Sequence, residues 1–464
     1  MTSSNKTTIK NQILKREKGL RADYDALSPH DISIIIKYCF GSTDFVDNLI
    51  VASLFSGRPI ARLLNIVIEE RHISNHPFAV LPSDYKHPIP KLGEPNSAPF
   101  IFLPKQIVKV LKACQAERPE NKQLLEVWIE NWIDAVKKRL KELNKRYKCR
   151  LTTNRISTTL SQCANQFSLS QAEVTFISGN TYSDHAGRYY LKIKAGLLAY
   201  KHYEYINHLF RLAQKSALPV QQLGSHTQHD VYIGSNFAPN DECIKQWFQY
   251  LTGNIESYKK AFPAQYFQLF NYYSSYTLCV LLMCTGQRNN NILFSNIDLY
   301  RMCVFISDKN CRENASRVIP LSKTVQKQLI AYFDFVDRFA SYIERTDPIS
   351  AEMLKALKCS SKPIFYNFRS CGTLQEFIYP RHIPVNSFKA KTKSNWYRHW
   401  LKSTLTKAEK INPECIDAIM GHENKLDESF SKFSCFSLND LQPCARAIDD
   451  ELALLGIEAL EFEV

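Results

Sequence analysis

The stretch NWYRHWLKSTLTKAEKINPECIDAIMGH, Asn395 to His422, opens on Asn395-Trp396-Tyr397-Arg398-His399 and closes on Met420-Gly421-His422. Arg398 and His422 stand 24 residues apart. Two further elements precede this stretch. Thr285-Gly286-Gln287-Arg288 follows the apolar run Leu278 to Cys284. A strand pair, Cys303 to Ser307 and Arg317 to Leu321, carries Lys309 in its polar loop and ends Arg317-Val318-Ile319-Pro320-Leu321. The order and spacing of the four elements are more specific than any one alone. Around them the apolar periodicity is mostly helical, with other short strands expected at Phe78 to Leu81 and Phe100 to Leu103. The expected fold is mainly α with small β-hairpin or sheet elements.

This series resembles the catalytic core of the tyrosine recombinases, the phage-integrase family. In that pattern an arginine follows a T-G turn, a lysine sits in a hairpin, and an H-x-x-R-H box precedes a G-H pair. The resemblance runs from Thr285 to about Phe436. It implies a site-specific recombinase or integrase core that acts on double-stranded DNA in the integration or recombination of a mobile element, with no metal and no cofactor. The implied chemistry is attack by a tyrosine on a phosphodiester, which leaves a phosphorane to be neutralised and a 5′ oxygen to be protonated. By position Arg288 and Arg398 would form the clamp, since a guanidinium fork pairs with two phosphate oxygens and stays charged. His422 would hydrogen-bond the phosphate or assist proton transfer, and Lys309 would be the general acid.

Several positions depart from that pattern. Asn395 replaces the first histidine of the box; it can donate a hydrogen bond but cannot shuttle a proton at neutral pH. Asn291 stands where an acidic residue is usual, and counting back from Pro320 puts the hairpin lysine's place on Arg312, an alternative general acid. The nucleophile's place, about nine residues past the G-H histidine, is held by Ser431 beside Phe430 and Phe433, and no tyrosine follows Tyr397. A serine there has no positioned base. These residues leave open whether the chain cuts DNA. The alternative is a catalytically inactive accessory or architectural protein that grips recombination sites beside an active partner recombinase, or through self-association on DNA.

The first half carries a similar series. An apolar helix ends Phe55-Ser56-Gly57-Arg58, and Phe78 to Leu81 is followed by Lys86. APFIFLPKQIVKVLKA, from Ala98, parallels ASRVIPLSKTVQKQLIA, from Ala315; then come Arg155, Gly179-Asn180 and Tyr189-Tyr190. Gly57 to Arg155 is 98 residues against 112 from Gly286 to Arg398, and Arg155 to Tyr189 is 34 against 33 from Arg398 to Ser431. The expectation is two tandem copies of one recombinase-like fold: residues 1–220 as a degenerate copy, 221–241 as a linker, and 242–464 as the integrase-like domain with an acidic tail helix. A composite site would bring Tyr189 or Tyr190, as nucleophile, to Arg288 and Arg398.

Composition bounds these readings. The 464 residues carry 59 Lys plus Arg against 45 Asp plus Glu, a net charge of +14, with 45% hydrophobic and 22% charged residues. Such a chain buries a core and favours polyanionic partners, which excludes collagen-like, coiled-coil and low-complexity classes. Basic runs at Lys137 to Arg155 and Lys389 to Lys402 offer Lys137, Lys138, Lys141, Lys145, Arg155, Lys389, Lys391 and Lys393 as DNA contacts. The longest apolar run, Leu278 to Cys284, is far short of a membrane span, and the lysine-rich amino terminus has no apolar signal core. A cytoplasmic protein without membrane contact is expected, nucleoid-associated if bacterial. The 14 cysteines form no C-x-x-C pair, so free thiols and no metal site are expected.

Overall fold

Tyr266–Thr285 contains no charged side chain, and the 20-residue helix it forms is buried over most of its length. In the computed structural model the described residues are 26–65, 69–73, 76–80, 100–101, 103–179, 187–215, 232–235, 237–288, 297–307, 316–358, 363–379, 381–383, 395–408, 411–422 and 436–461. The chain is mainly helical with small antiparallel sheets. It divides into two compact units: residues 1–188 with 193–234, and residues 189–192 with 235–464.

The first unit opens with α1 (Pro29–Tyr38), whose Ser28 and Asp31 form a reciprocal capping box. Helix α2 (Phe45–Ser56) is almost wholly buried and closes on Gly57 at φ +64°. After α3 (Ile60–Asn65) come three antiparallel strands in sequential order, β1 (Glu69–Ile73), β2 (His76–Val80) and β3 (Phe100–Ile101). Then follow α4 (Lys105–Ala116), α5 (Lys122–Tyr147), α6 (Thr153–Cys163) and α7 (Gln171–Ser178), which closes on Gly179 at φ +64°. Helix α8 (Gly187–Tyr190), strand β4 (Lys192–Lys194), helix α9 (Ala195–Leu212) and strand β5 (Tyr232–Gly234) follow; β4 pairs with β5, and residues 189–192 of this stretch belong to the second unit. The long α5 buries Ile129, Val136, Leu140 and Leu143 on one side. Lys137, Lys138, Lys141 and Lys145 are exposed on the other.

In the second unit α10 (Asp241–Lys260) packs on α11 (Tyr266–Thr285). Strands β6 (Ile297–Asp298), β7 (Cys303–Ile306) and β8 (Arg317–Pro320) again form a sequential antiparallel sheet. Helices α12 (Lys323–Ile343) and α13 (Pro348–Lys355) lead to the hairpin β9 (Tyr366–Phe368) and β10 (Leu374–Glu376). The unit ends with α14 (Trp396–Lys407), α15 (Pro413–Met420) and α16 (Leu438–Leu454). One aromatic-rich core fills it, and Ile448, Leu452, Leu455 and Ile457 from the acidic end of the chain lie inside that core.

Both units therefore run through the same kinds of element. A buried apolar helix ends in a left-handed glycine, then come a three-stranded antiparallel sheet and a helix. Later a helix has arginine as its third residue, Arg155 or Arg398, and an eight-residue helix ends in a second left-handed glycine. The span 221–241, read as a linker, is only partly described. Within it Tyr232–Gly234 is a strand and α10 begins at Asp241. A three-residue strand is too short to carry a legible alternation.

Candidate functional site

In the second unit two helix ends meet around Arg398. Helix α11 stops at Gly286, at φ +56°, where the glycine N–H donates to the Leu282 carbonyl at 2.8 Å. Helix α15 stops at Gly421, at φ +60°. Such ends leave carbonyls without partners in the helix, and they carry partial negative charge. Arg398 is fully buried and answers both ends. Its Nη1 donates to the Gly286 carbonyl, and its Nη2 donates to the Met420 carbonyl at 2.9 Å. Arg317, also buried, brings Nη2 to 3.4 Å from the same Gly286 oxygen. Gly421 takes a φ of +60°, which favours glycine, and a Cβ there would lie 2.9 Å from Arg317 Nη1.

His422 follows directly. Its backbone N–H donates to the Asp417 carbonyl at 2.8 Å, and its buried ring sets Nε2 3.3 Å from Arg398 Nη2. The Tyr190 ring stacks on that imidazole, with centroids 5.0 Å apart and planes 21° apart. The same ring lies 4.9 Å from Arg398 Cζ, a cation–π contact, and 4.7 Å from the His399 ring. The segment carrying it is anchored within this unit. The Lys192 N–H donates to Ser403 Oγ at 2.9 Å, and the Ser235 N–H donates to the Leu191 carbonyl at 2.7 Å. His399 is buried, with Nδ1 2.6 Å from Ser235 Oγ, and Tyr189 and Phe237 pack around its ring. Behind the cluster, buried Lys402 donates to Asp417 Oδ1 at 2.6 Å.

Of the residues expected in the site, Arg398, His422 and Tyr190 are brought into mutual contact. Arg288 is half-buried, two residues beyond Gly286. Asn395 precedes α14; its carbonyl accepts from the Arg398 N–H at 3.0 Å and its Oδ1 from the Tyr397 hydroxyl at 3.4 Å. Lys309, Arg312, Ser431, Lys389, Lys391 and Lys393 lie outside the described residues, as do Lys86, Asn180 and Asn291. Among the DNA-contact candidates, the four lysines of α5 are exposed, and Lys137 makes a surface ion pair with Asp134 at 3.0 Å. Arg155 instead turns inward, with Nη1 donating to the Arg150 carbonyl at 2.9 Å.

Sequence reasoning missed Arg317, the Ser235–His399 contact and the Lys402–Asp417 pair. Arg317 opens a short strand, where an arginine ordinarily reads as solvent-facing. The described cysteines are free, and burial pushes the Cys279 and Cys284 thiols up to about 12, where they are inert. Among the described residues no group of three or more His, Cys, Asp or Glu could hold a metal ion, and no helix is long and apolar enough to cross a membrane. Comparison with protein-family models, curated proteins and solved structures finds nothing that matches this chain.

Proposed function

We propose that the chain binds double-stranded DNA as a divergent protein of the tyrosine-recombinase type, built from two copies of one unit, and acts in the integration or recombination of a mobile element. The observation that carries this reading is the meeting of Arg398, His422 and Tyr190. The matched order of elements in the two units supports the duplication.

In this reading Tyr190 supplies the nucleophile missing at Ser431. Its hydroxyl oxygen attacks the scissile phosphorus and gives its proton to water. The tyrosyl P–O bond forms as the bond to the 5′ oxygen breaks, and that oxygen takes a proton from Lys309 or Arg312. Arg288 and Arg398 neutralise the phosphorane, and His422 hydrogen-bonds it. No step calls for a metal, so cleavage should persist in EDTA.

One observation favours a second reading, in which the chain grips DNA without cutting it. Arg398 directs Nη1 and Nη2 at helix-end carbonyls, so at least two of its five N–H groups serve the fold and not a phosphate. A nicked suicide substrate separates the two. Cleavage predicts a covalent adduct that maps to Tyr190 and disappears in Tyr190→Phe. Tight, salt-sensitive duplex binding without an adduct leaves the accessory role, and no duplex binding at all overturns both.

A further inference from the structure

The first unit contains a cavity of about 470 Å³ that the cluster around Arg398 does not involve. It opens where α2 gives way to α3, beside the start of α6 and the end of α7, and is lined by Gly57, Arg62, Asn65, Asn154, Ser157 and Thr158, with Pro59 and Ala61 at its apolar edge. Among the described residues that line it there is one cation and no carboxylate. The cation is held in place, because Arg62 Nη1 donates to the Gly179 carbonyl at 2.8 Å. The hydroxyls can turn. Ser157 and Thr158 both donate to the Asn154 carbonyl, at 3.1 and 3.0 Å, so either can rotate toward a ligand while the other keeps that oxygen paired.

We propose that this cavity seats one phosphodiester of a DNA strand, with its deoxyribose against Pro59 and Ala61, as a backbone grip that takes no part in cleavage. A single guanidinium among neutral hydrogen-bonding groups suits a monoanionic diester better than a doubly charged terminal phosphate. The assignment of the strand to DNA rests on the function proposed above; the diester chemistry rests on the cavity alone.

Asn154→Asp tests it. Residue 154 is exposed and second in α6, where a carboxylate favours the helix N-terminus, so the variant should fold as the parent does. Fluorescence anisotropy of the full chain on a labelled duplex, across a KCl series, should give binding weaker by about tenfold and a salt slope smaller by about 1. Arg62→Gln should act in the same direction. Parental affinity and slope in both variants would overturn the cavity as a DNA seat while leaving duplex binding intact. If the parent binds no duplex, calorimetry with thymidylyl-thymidine decides: binding that Asn154→Asp removes keeps the diester site and discards DNA, and no binding ends the proposal.

Discussion

In the first unit the carbonyls at the ends of α2 and α7 are met by four separate side chains. Arg58 Nε donates to the Ile177 carbonyl at 3.0 Å, Arg62 to Gly179, His202 Nε2 lies 2.7 Å from the Phe55 oxygen, and the Tyr205 hydroxyl donates to Leu54 at 2.9 Å. In the second unit one residue, Arg398, bridges both ends with Arg317 beside it, and a tyrosine and a histidine cover the guanidinium. The backbone problem is the same in both places, since buried helix ends must find donors. A buried arginine at such an end is therefore explained by structure before it is explained by catalysis. What sets the second unit apart is direct contact of its arginine with an imidazole, at 3.3 Å, and with the face of a tyrosine ring, whereas in the first unit His202 and Tyr205 are themselves turned to helix-end carbonyls and a cavity lies beside Arg62.

The largest effect should come from removing the bridge. Arg398→Met leaves the Met420 carbonyl without that donor and weakens the pairing of Gly286, at about 1–3 kcal/mol for each buried group, so a loss of about 4 kcal/mol in urea denaturation is expected. Arg62→Met, at a half-buried site holding one of these carbonyls, should cost about 1 kcal/mol. Equal losses would break the comparison, because the single bridge would then hold no more than one of the four separate donors.

A middle-sized effect distinguishes the units by pH. His202 is completely buried, and desolvation, with a smaller contribution from the nearby Arg58 charge, lowers its pKa to about 4. The imidazole is thus neutral in the folded protein at pH values where the unfolded chain is already protonated. The stability held above the unfolded value, near 6.5, is lost as pH falls toward 4. One such group lowers stability by about 2 kcal/mol between pH 7 and pH 5. Denaturation midpoints across that range should fall in the parent and flatten in His202→Gln. A flat parent would mean that the end of α2 is not held by a neutral histidine.

How much of this was legible in the sequence differs between scaffold and site. The apolar run before Gly286 announced α11, and the short apolar stretches Cys303–Ile306 and Arg317–Pro320, on either side of a polar loop, announced its hairpin. Strands of three residues, such as Lys192–Lys194 and Tyr232–Gly234, carry no such signal. The resemblance implied that Arg398 and His422 come together, and the two helices between them span the 24-residue interval. The partners of Arg398 were harder to see. That Gly286 and Met420 would present their carbonyls follows from where the helices end, which only packing decides. The grouping of Tyr190 with Arg398 depends on residues 189–192 joining the second unit across the expected domain boundary.

The smallest effect tests the surface against the interior. Lys138 and Lys145 project from the exposed side of α5, so replacing either by glutamine should change stability by less than about 0.5 kcal/mol. If α5 lies along DNA, each replacement should also lower the salt slope of duplex binding by about 1, whatever the base sequence. Arg155→Gln should do the reverse, costing about 1 kcal/mol of stability through its Arg150 carbonyl bond and leaving the slope unchanged. An unchanged slope in both lysine variants, with a reduced one in Arg155→Gln, would move the DNA path off α5 and onto the start of α6, beside the cavity of the first unit.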